Sequence, residues 1–266
     1  MASLPKLIIL PLFLLLLGIA VAPLKAKDPE FDYFTLSLVW SGTMCLNVKE
    51  CCSTNACCKP IAKRGFTIRG LWPEYNNGTR PSCCNGEAFN KNEISGLRKY
   101  LEYEWPSYNC TLSSACGSPK ESNWAYEWAK HGICANSVIY HHVFNYFFLT
   151  QMALRFYDVT RILKNSGYRA SDSADYSVRD ITFAIRSRLS ATPIVLCYGD
   201  AVKEVQLCFN KKLQPIDCPT TKSGLLYKSS SDECPSRVRL PKLRKKNVIS
   251  ESEKMNDLSF SGVQNW

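Results

Sequence analysis

Between positions 33 and 40 apolar and polar side chains alternate. Phe34, Leu36, Leu38 and Trp40 fall on one side and Tyr33, Thr35 and Ser37 on the other, the two-residue period of a half-buried strand. Phe66, Ile68 and then Gly70-Leu71-Trp72-Pro73 predict a second strand ending in a turn. The period then lengthens. Ile94, Leu97, Leu101 and Trp105 recur at helical spacing, which predicts an amphipathic helix over 92–105. A long helical region rich in Tyr, Phe and Leu is expected over 137–164, closed by Asn165-Ser166-Gly167, with one more helix around Ile181, Ala184, Ile185 and Leu189. Strand signals return at 194–198, 202–209 and 238–240. Strands and helices do not alternate as in a parallel βαβ sheet, so the expected class is α+β, an antiparallel sheet packed with helices. No internal repeat is visible, and 27–241 is expected to form a single domain.

Ahead of the first strand, Lys6 precedes a run over 7–22 that is apolar apart from Pro11 and Gly18. It is shorter than the roughly 20 residues needed to span a bilayer. Residues 1–26 therefore read as a signal peptide, cut after Ala26 rather than after Ala22, where Pro23 would follow the cut. The mature chain is expected to have no membrane attachment and to act as a monomer in the secretory pathway, in a vacuole, the endoplasmic reticulum or outside the cell.

That compartment decides how the 14 cysteines are read. All lie between Cys45 and Cys234, and oxidising conditions imply disulfides. The doublets Cys51-Cys52, Cys57-Cys58 and Cys83-Cys84 suggest zinc instead, but there is no C-x-x-C pair, so no metal and no cofactor are expected. Two N-glycosylation acceptors fit the same compartment, Asn77-Gly78-Thr79 and Asn109-Cys110-Thr111, the second only if Cys110 is not bridged.

The formal charge of +10 invites a nucleic-acid reading, but its distribution argues against a broad basic face. Residues 237–246 alone hold six Lys and Arg with no acid. The segment 242–266 is polar, without periodicity or cysteine, and reads as an exposed extension, either a sorting signal or a disordered tail.

The densest polar and aromatic cluster is Trp124-Ala125-Tyr126-Glu127-Trp128-Ala129-Lys130-His131-Gly132-Ile133-Cys134. On a helix, Glu127 and His131 are four apart, as are Tyr126 and Lys130, so these side chains share about one face. An acid, an ammonium and an imidazole converging there suit acid-base chemistry on an anion, although the same spacing also makes a salt-bridged surface helix. Cys134 would pin the helix end.

Together with Gly65-Phe66-Thr67-Ile68-Arg69-Gly70-Leu71-Trp72-Pro73-Glu74-Tyr75, this cluster resembles the two active-site segments of the ribonuclease T2 family, in its plant S-like, vacuolar-type branch. The resemblance implies an α+β, disulfide-rich domain that acts on single-stranded RNA without a metal, by attack of a ribose 2′-OH on the adjacent phosphorus to leave a 2′,3′-cyclic phosphate. It also implies bridges Cys197 to Cys234, Cys208 to Cys218, and one of Cys83 or Cys84 to Cys134.

Departures from that pattern carry the functional reading. Where the family places a general-acid histidine before Gly-Leu-Trp-Pro, this chain has Arg69; where it places a phosphate-binding histidine before the glutamate, this chain has Tyr126. His131 remains at the general-base position, with Glu127 and Lys130 where the family stabilises the charged phosphorane. Arginine, with a pKa above about 12, holds phosphate but does not deliver a proton. His141 and His142 lie too far along to substitute and read as helix-surface residues. Val39-Trp40-Ser41 replaces the family's Gln-Trp-Pro at the base-binding strand, with Glu74 in place of an aspartate; Trp72 is left either for stacking on a base or as a core tryptophan. The expectation is a family member with impaired or absent cleavage. The alternatives are an acid endoribonuclease working through His131, Glu127 and Lys130, which would serve RNA turnover and phosphate recycling, and a basic recognition protein like the self-incompatibility ribonucleases.

Overall fold

The computed structural model describes residues 30–219 and 233–244. The expected signal peptide and nearly all of the expected C-terminal extension lie outside the described residues. Strand β1 (Tyr33–Trp40) forms where the alternation predicts it, between β2 (Phe66–Glu74) and the longer β5 (Ala201–Asn210), antiparallel to both. All eight β1 residues are buried, so the half-buried expectation fails. Both faces are covered because the strand is central, and its polar side is closed by Ser37, which donates to Glu204 of β5 at 2.8 Å.

The sheet runs β2, β1, β5, β7 (Arg237–Arg239) and β3 (Asp175–Ser177), with β4 (Ile194–Tyr198) and β6 (Pro215–Ile216) also on β5. It is antiparallel except where β7 meets β5 in parallel at Ala201 and Arg239. Strands β3 and β6 have no signal in the sequence, being two or three residues long and half exposed.

The helices are shorter than the periodicity predicts. After α1 (Ser41–Met44), the stretch expected over 92–105 opens as a 3₁₀ turn and becomes helical as α2 (Arg98–Glu104). Helix α3 (Asn123–Lys130) follows. The long helix expected over 137–164 is divided into α4 (Asn136–Ile139), α5 (Val143–Phe156) and α6 (Val159–Asn165). Tyr140 and His141 make the first break by adopting φ of 55° and 62°. At the second, the Asp158 carboxylate caps α6 by accepting from the Arg161 amide at 3.0 Å. No Gly or Pro marks either break, so apolar spacing runs through both. His141 and His142 are exposed in the first gap rather than on a helix. Helix α7 (Val178–Leu189) is capped by Ser177.

Phe34, Leu36 and Leu38 from β1 and Ile68 and Leu71 from β2 join Trp105, Trp128, Tyr146, Phe147, Ile181 and Ile185 in one core. Seven disulfides use every cysteine: Cys45–Cys57, Cys51–Cys58, Cys52–Cys110, Cys83–Cys116, Cys84–Cys134, Cys197–Cys234 and Cys208–Cys218. With every thiol bridged, the zinc alternative has no ligands. Near the C-terminal end, Arg237, Arg239 and Arg244 pair with Asp175, Asp200 and Asp172 at 2.7, 2.7 and 3.0 Å.

Candidate active site

The site begins at an irregularity in β2. Leu38 pairs with Ile68 and Ser37 with Gly70, so Arg69 is the extra residue of a β-bulge. A bulge re-aims its side chain, and Arg69, alone exposed along β2, extends its guanidinium to Glu204 of β5 at 2.6 Å. Glu204 is 1% exposed and also accepts from Ser37 and from Gln206 Nε2 at 2.6 Å. The buried carboxylate thus has three donors, which offsets its desolvation. At the next residue, a Cβ on Gly70 would stand 2.6 Å from Glu127 Oε2 and run into the Trp72 indole nitrogen, so any larger residue here must push those side chains aside.

Helix α3 brings the second segment alongside. Ser122 accepts from the Ala125 amide at 3.3 Å to start it, and the Cys84–Cys134 bridge holds the 3₁₀ turn that follows. Glu127 accepts from Trp72 Nε1 at 2.9 Å, and the Trp72 and His131 rings lie 5.6 Å apart. Lys130 Nζ donates to the Tyr126 hydroxyl at 2.8 Å. His131 is 3% exposed, and its Nδ1 has no hydrogen-bond partner among the described residues. Arg80, from the turn after β2, lies over the Trp72 ring at 4.4 Å and pairs with Glu74 at 2.7 Å.

Burial dominates the electrostatics. It pushes the Glu127 carboxyl up to about 7, against the opposing pull of the Trp72 hydrogen bond and of Arg69, Lys130 and Arg80. Glu74 likewise rises to about 7 through burial, with Arg80 opposing. His131 is pushed down to about 3, first by burial and then by the positive charges of Arg80, Lys130 and Arg69. A neutral imidazole beside three cations can face an anion, but the burial and charges that keep it neutral also make it a weak proton acceptor. The group at the bulge, an arginine, can hold an anion but not protonate a leaving oxygen.

The structure therefore brings together Arg69, Trp72, Tyr126, Glu127, Lys130 and His131, as the two segments predict. Of the two residues expected at the base-binding side, Trp72 is 5% exposed with Arg80 over its ring, and Glu74 is buried against the same arginine. Sequence reading missed Arg80 and Glu204. Arg80 carries no periodic signal, being in a turn; Glu204 does carry one, since a carboxylate inside the apolar run 202–209 requires a partner. Asn77 and Asn109 are both exposed.

Residues 31–218 match the Ribonuclease T2 family model. The fold is that of the RNase-related protein from Calystegia sepium, with a TM-score of 0.72 and 49% identity over 80% of this chain and 98% of that one. Trichomaglin, described as an S-like ribonuclease, gives a TM-score of 0.72 at 39% identity, covering 80% of this chain and 99% of its own. A ribonuclease-like storage protein of Panax ginseng is 26% identical over 230 residues, 84% of this chain and 90% of that protein. With both active-site segments assembled on that fold, the chain belongs to the ribonuclease T2 family, among its plant S-like members.

Proposed function

We propose that this chain is a secretory-pathway member of the family that has kept an RNA-facing site and lost most of its cleavage activity. The observation that carries the reading is Arg69, which occupies the general-acid position and is held there by buried Glu204. His131 stays in the base position but, lowered to about 3, is a weak proton acceptor, and the leaving 5′ oxygen lacks a histidine donor. Loss of a positioned general acid costs roughly 10²- to 10⁴-fold in rate. Tyr126, bound by Lys130, stands where an imidazole would bind phosphate. A protein of this kind holds RNA, or serves as a store, as the name of the Panax relative, a ribonuclease-like storage protein, says of that protein.

The test is turnover of single-stranded RNA by the mature chain beside Arg69→His/Tyr126→His. The double variant is expected to gain on the order of 10²-fold or more. Wild-type turnover within about tenfold of an intact family member would overturn the reading.

One observation favours a second reading, retained cleavage at acid pH. Glu127, raised to about 7, is protonated there and could supply the missing proton. In that case Glu127→Gln abolishes wild-type activity; in the first reading it changes a residual rate only slightly.

A further inference from the structure

We propose that the Asn109 glycosylation acceptor and the Cys52–Cys110 disulfide compete for the same stretch of chain, so that early closure of the bridge keeps Asn109 unmodified. This rests on passage through the secretory pathway proposed above. The two acceptors differ in what must move for a transferase to use them. Asn77 sits in an exposed turn, and its Oδ1 already accepts from the Thr79 amide and hydroxyl at 2.9 and 2.7 Å, so acceptor and hydroxyl residue stand together in the folded chain.

Asn109 is strapped down. Its carbonyl accepts from Thr54 Oγ1 at 3.3 Å and Ser107 Oγ at 3.0 Å, and its amide donates to Ser107 Oγ at 3.1 Å. Ser107 in turn accepts from the Ala56 amide at 2.8 Å. The central residue of the acceptor triplet, Cys110, is joined to Cys52. Residues 107–110 therefore lie against 52–56, held by a covalent bond and several hydrogen bonds. Presenting Asn109 and Thr111 together to a transferase requires this backbone to leave those partners, and the bridge prevents it.

The two reactions draw on separate reagents. Glycosylation forms a bond from Asn109 Nδ2 to the anomeric carbon of an oligosaccharide; Nδ2 loses a proton, and the bond from that carbon to a polyisoprenoid pyrophosphate donor breaks. Bridge formation removes one proton and one electron from each of the Cys52 and Cys110 thiols, reducing an oxidising disulfide to a dithiol. Cys52 precedes Cys110 by 58 residues, so its thiol is already present when Cys110 and Thr111 appear during synthesis. Asn109 also lines a cavity of about 230 Å³ with Pro106, Leu112 and Trp124, beside the start of α3. A glycan would stand at its rim, so the order of the two reactions sets whether that cavity is open.

The experiment expresses the full chain in a plant secretory host and measures site occupancy by glycopeptide mass spectrometry on total chain, including retained material. Wild type, Cys52→Ser, and wild type synthesised under a pulse of dithiothreitol are compared. Cys52→Ser leaves the acceptor triplet intact, and the reductant pulse opens the bridge without any substitution. Asn109 occupancy is expected to be low in wild type and to rise by about twofold or more in both other samples, with Asn77 constant and high. Equal Asn109 occupancy in all three, or Asn109 as fully occupied as Asn77 in wild type, overturns the proposal alone. Absence of glycan from both sites in every sample overturns it together with the secretory reading.

Discussion

Glu127→Gln tests whether the buried carboxyl carries its proton at acid pH. In the folded chain the group titrates at about 7, against 4.5 for an unperturbed glutamate. Its contribution to stability is therefore fully present below about pH 4.5 and is lost as pH rises through 7, because the unfolded chain releases the proton first. At about 1.4 kcal/mol per unit, the whole shift is worth about 3 kcal/mol, of which roughly 2 kcal/mol disappears between pH 5 and pH 7. Glu74, raised to about 7, works in the same direction. His131, lowered to about 3, opposes both, since its contribution is present above 6.5 and lost as pH falls toward 3. Wild-type stability alone thus mixes three groups, but the difference from the variant at each pH isolates one. Glutamine keeps an oxygen for the Trp72 donor 2.9 Å away. Urea unfolding with the disulfides intact, followed by tryptophan fluorescence at pH 5, 6 and 7, measures that difference. The variant should gain about 2 kcal/mol relative to wild type from pH 5 to pH 7. A difference that stays constant across the range would show that Glu127 is already ionised at pH 5 and refute the argument.

Two further substitutions probe the frame of the site. Gly70→Ala forces a methyl against Glu127 and the Trp72 nitrogen; overpacking of this kind costs about 1–3 kcal/mol, read as a lower thermal midpoint with an altered tryptophan spectrum, and a wild-type midpoint would contradict the close approach. Glu204→Gln removes the charged acceptor shared by Arg69, Ser37 and Gln206; because the Arg69 side chain is 52% exposed and stays solvated, the expected loss is about 1–2 kcal/mol in denaturant unfolding, and no loss would remove Glu204 as the anchor of Arg69.

What the sequence made legible follows from the range of the interactions involved. The alternation in β1 and the Gly70-Leu71-Trp72-Pro73 segment locate two strands within a residue of their ends, because each strand's core face is written locally. Burial of the other face of β1 is not local; it depends on Glu204, which arrives more than 160 residues later. The breaks at Tyr140 and Asp158 escape periodicity because a left-handed backbone and an aspartate cap interrupt a helix without disturbing apolar spacing. The grouping of Glu127, Lys130 and His131 with Arg69 and Trp72 was visible through the two motifs. The sequence leaves Trp72 open between core and stacking, since what covers its ring is Arg80, whose place there comes from the path of a turn.

The three arginine–aspartate pairs at the C-terminal end bear on how the molecule would meet a polyanion. In the sequence, 237–246 is a block of six cations; in the fold, Arg237, Arg239 and Arg244 each hold an aspartate, and those hydrogen bonds keep the three carboxyls below their usual range. Binding to a nucleic acid gains entropy when protein cations displace ions condensed on the phosphates, and the steepness of its salt dependence counts those displacements. A guanidinium closed on its own carboxylate displaces none until that contact is given up. Arg69 and Arg80 are engaged in the same way, with Glu204 and Glu74. These five guanidiniums therefore tie one part of the chain to another, and the molecule's association with RNA would depend on ionic strength less steeply than the block of six cations suggests.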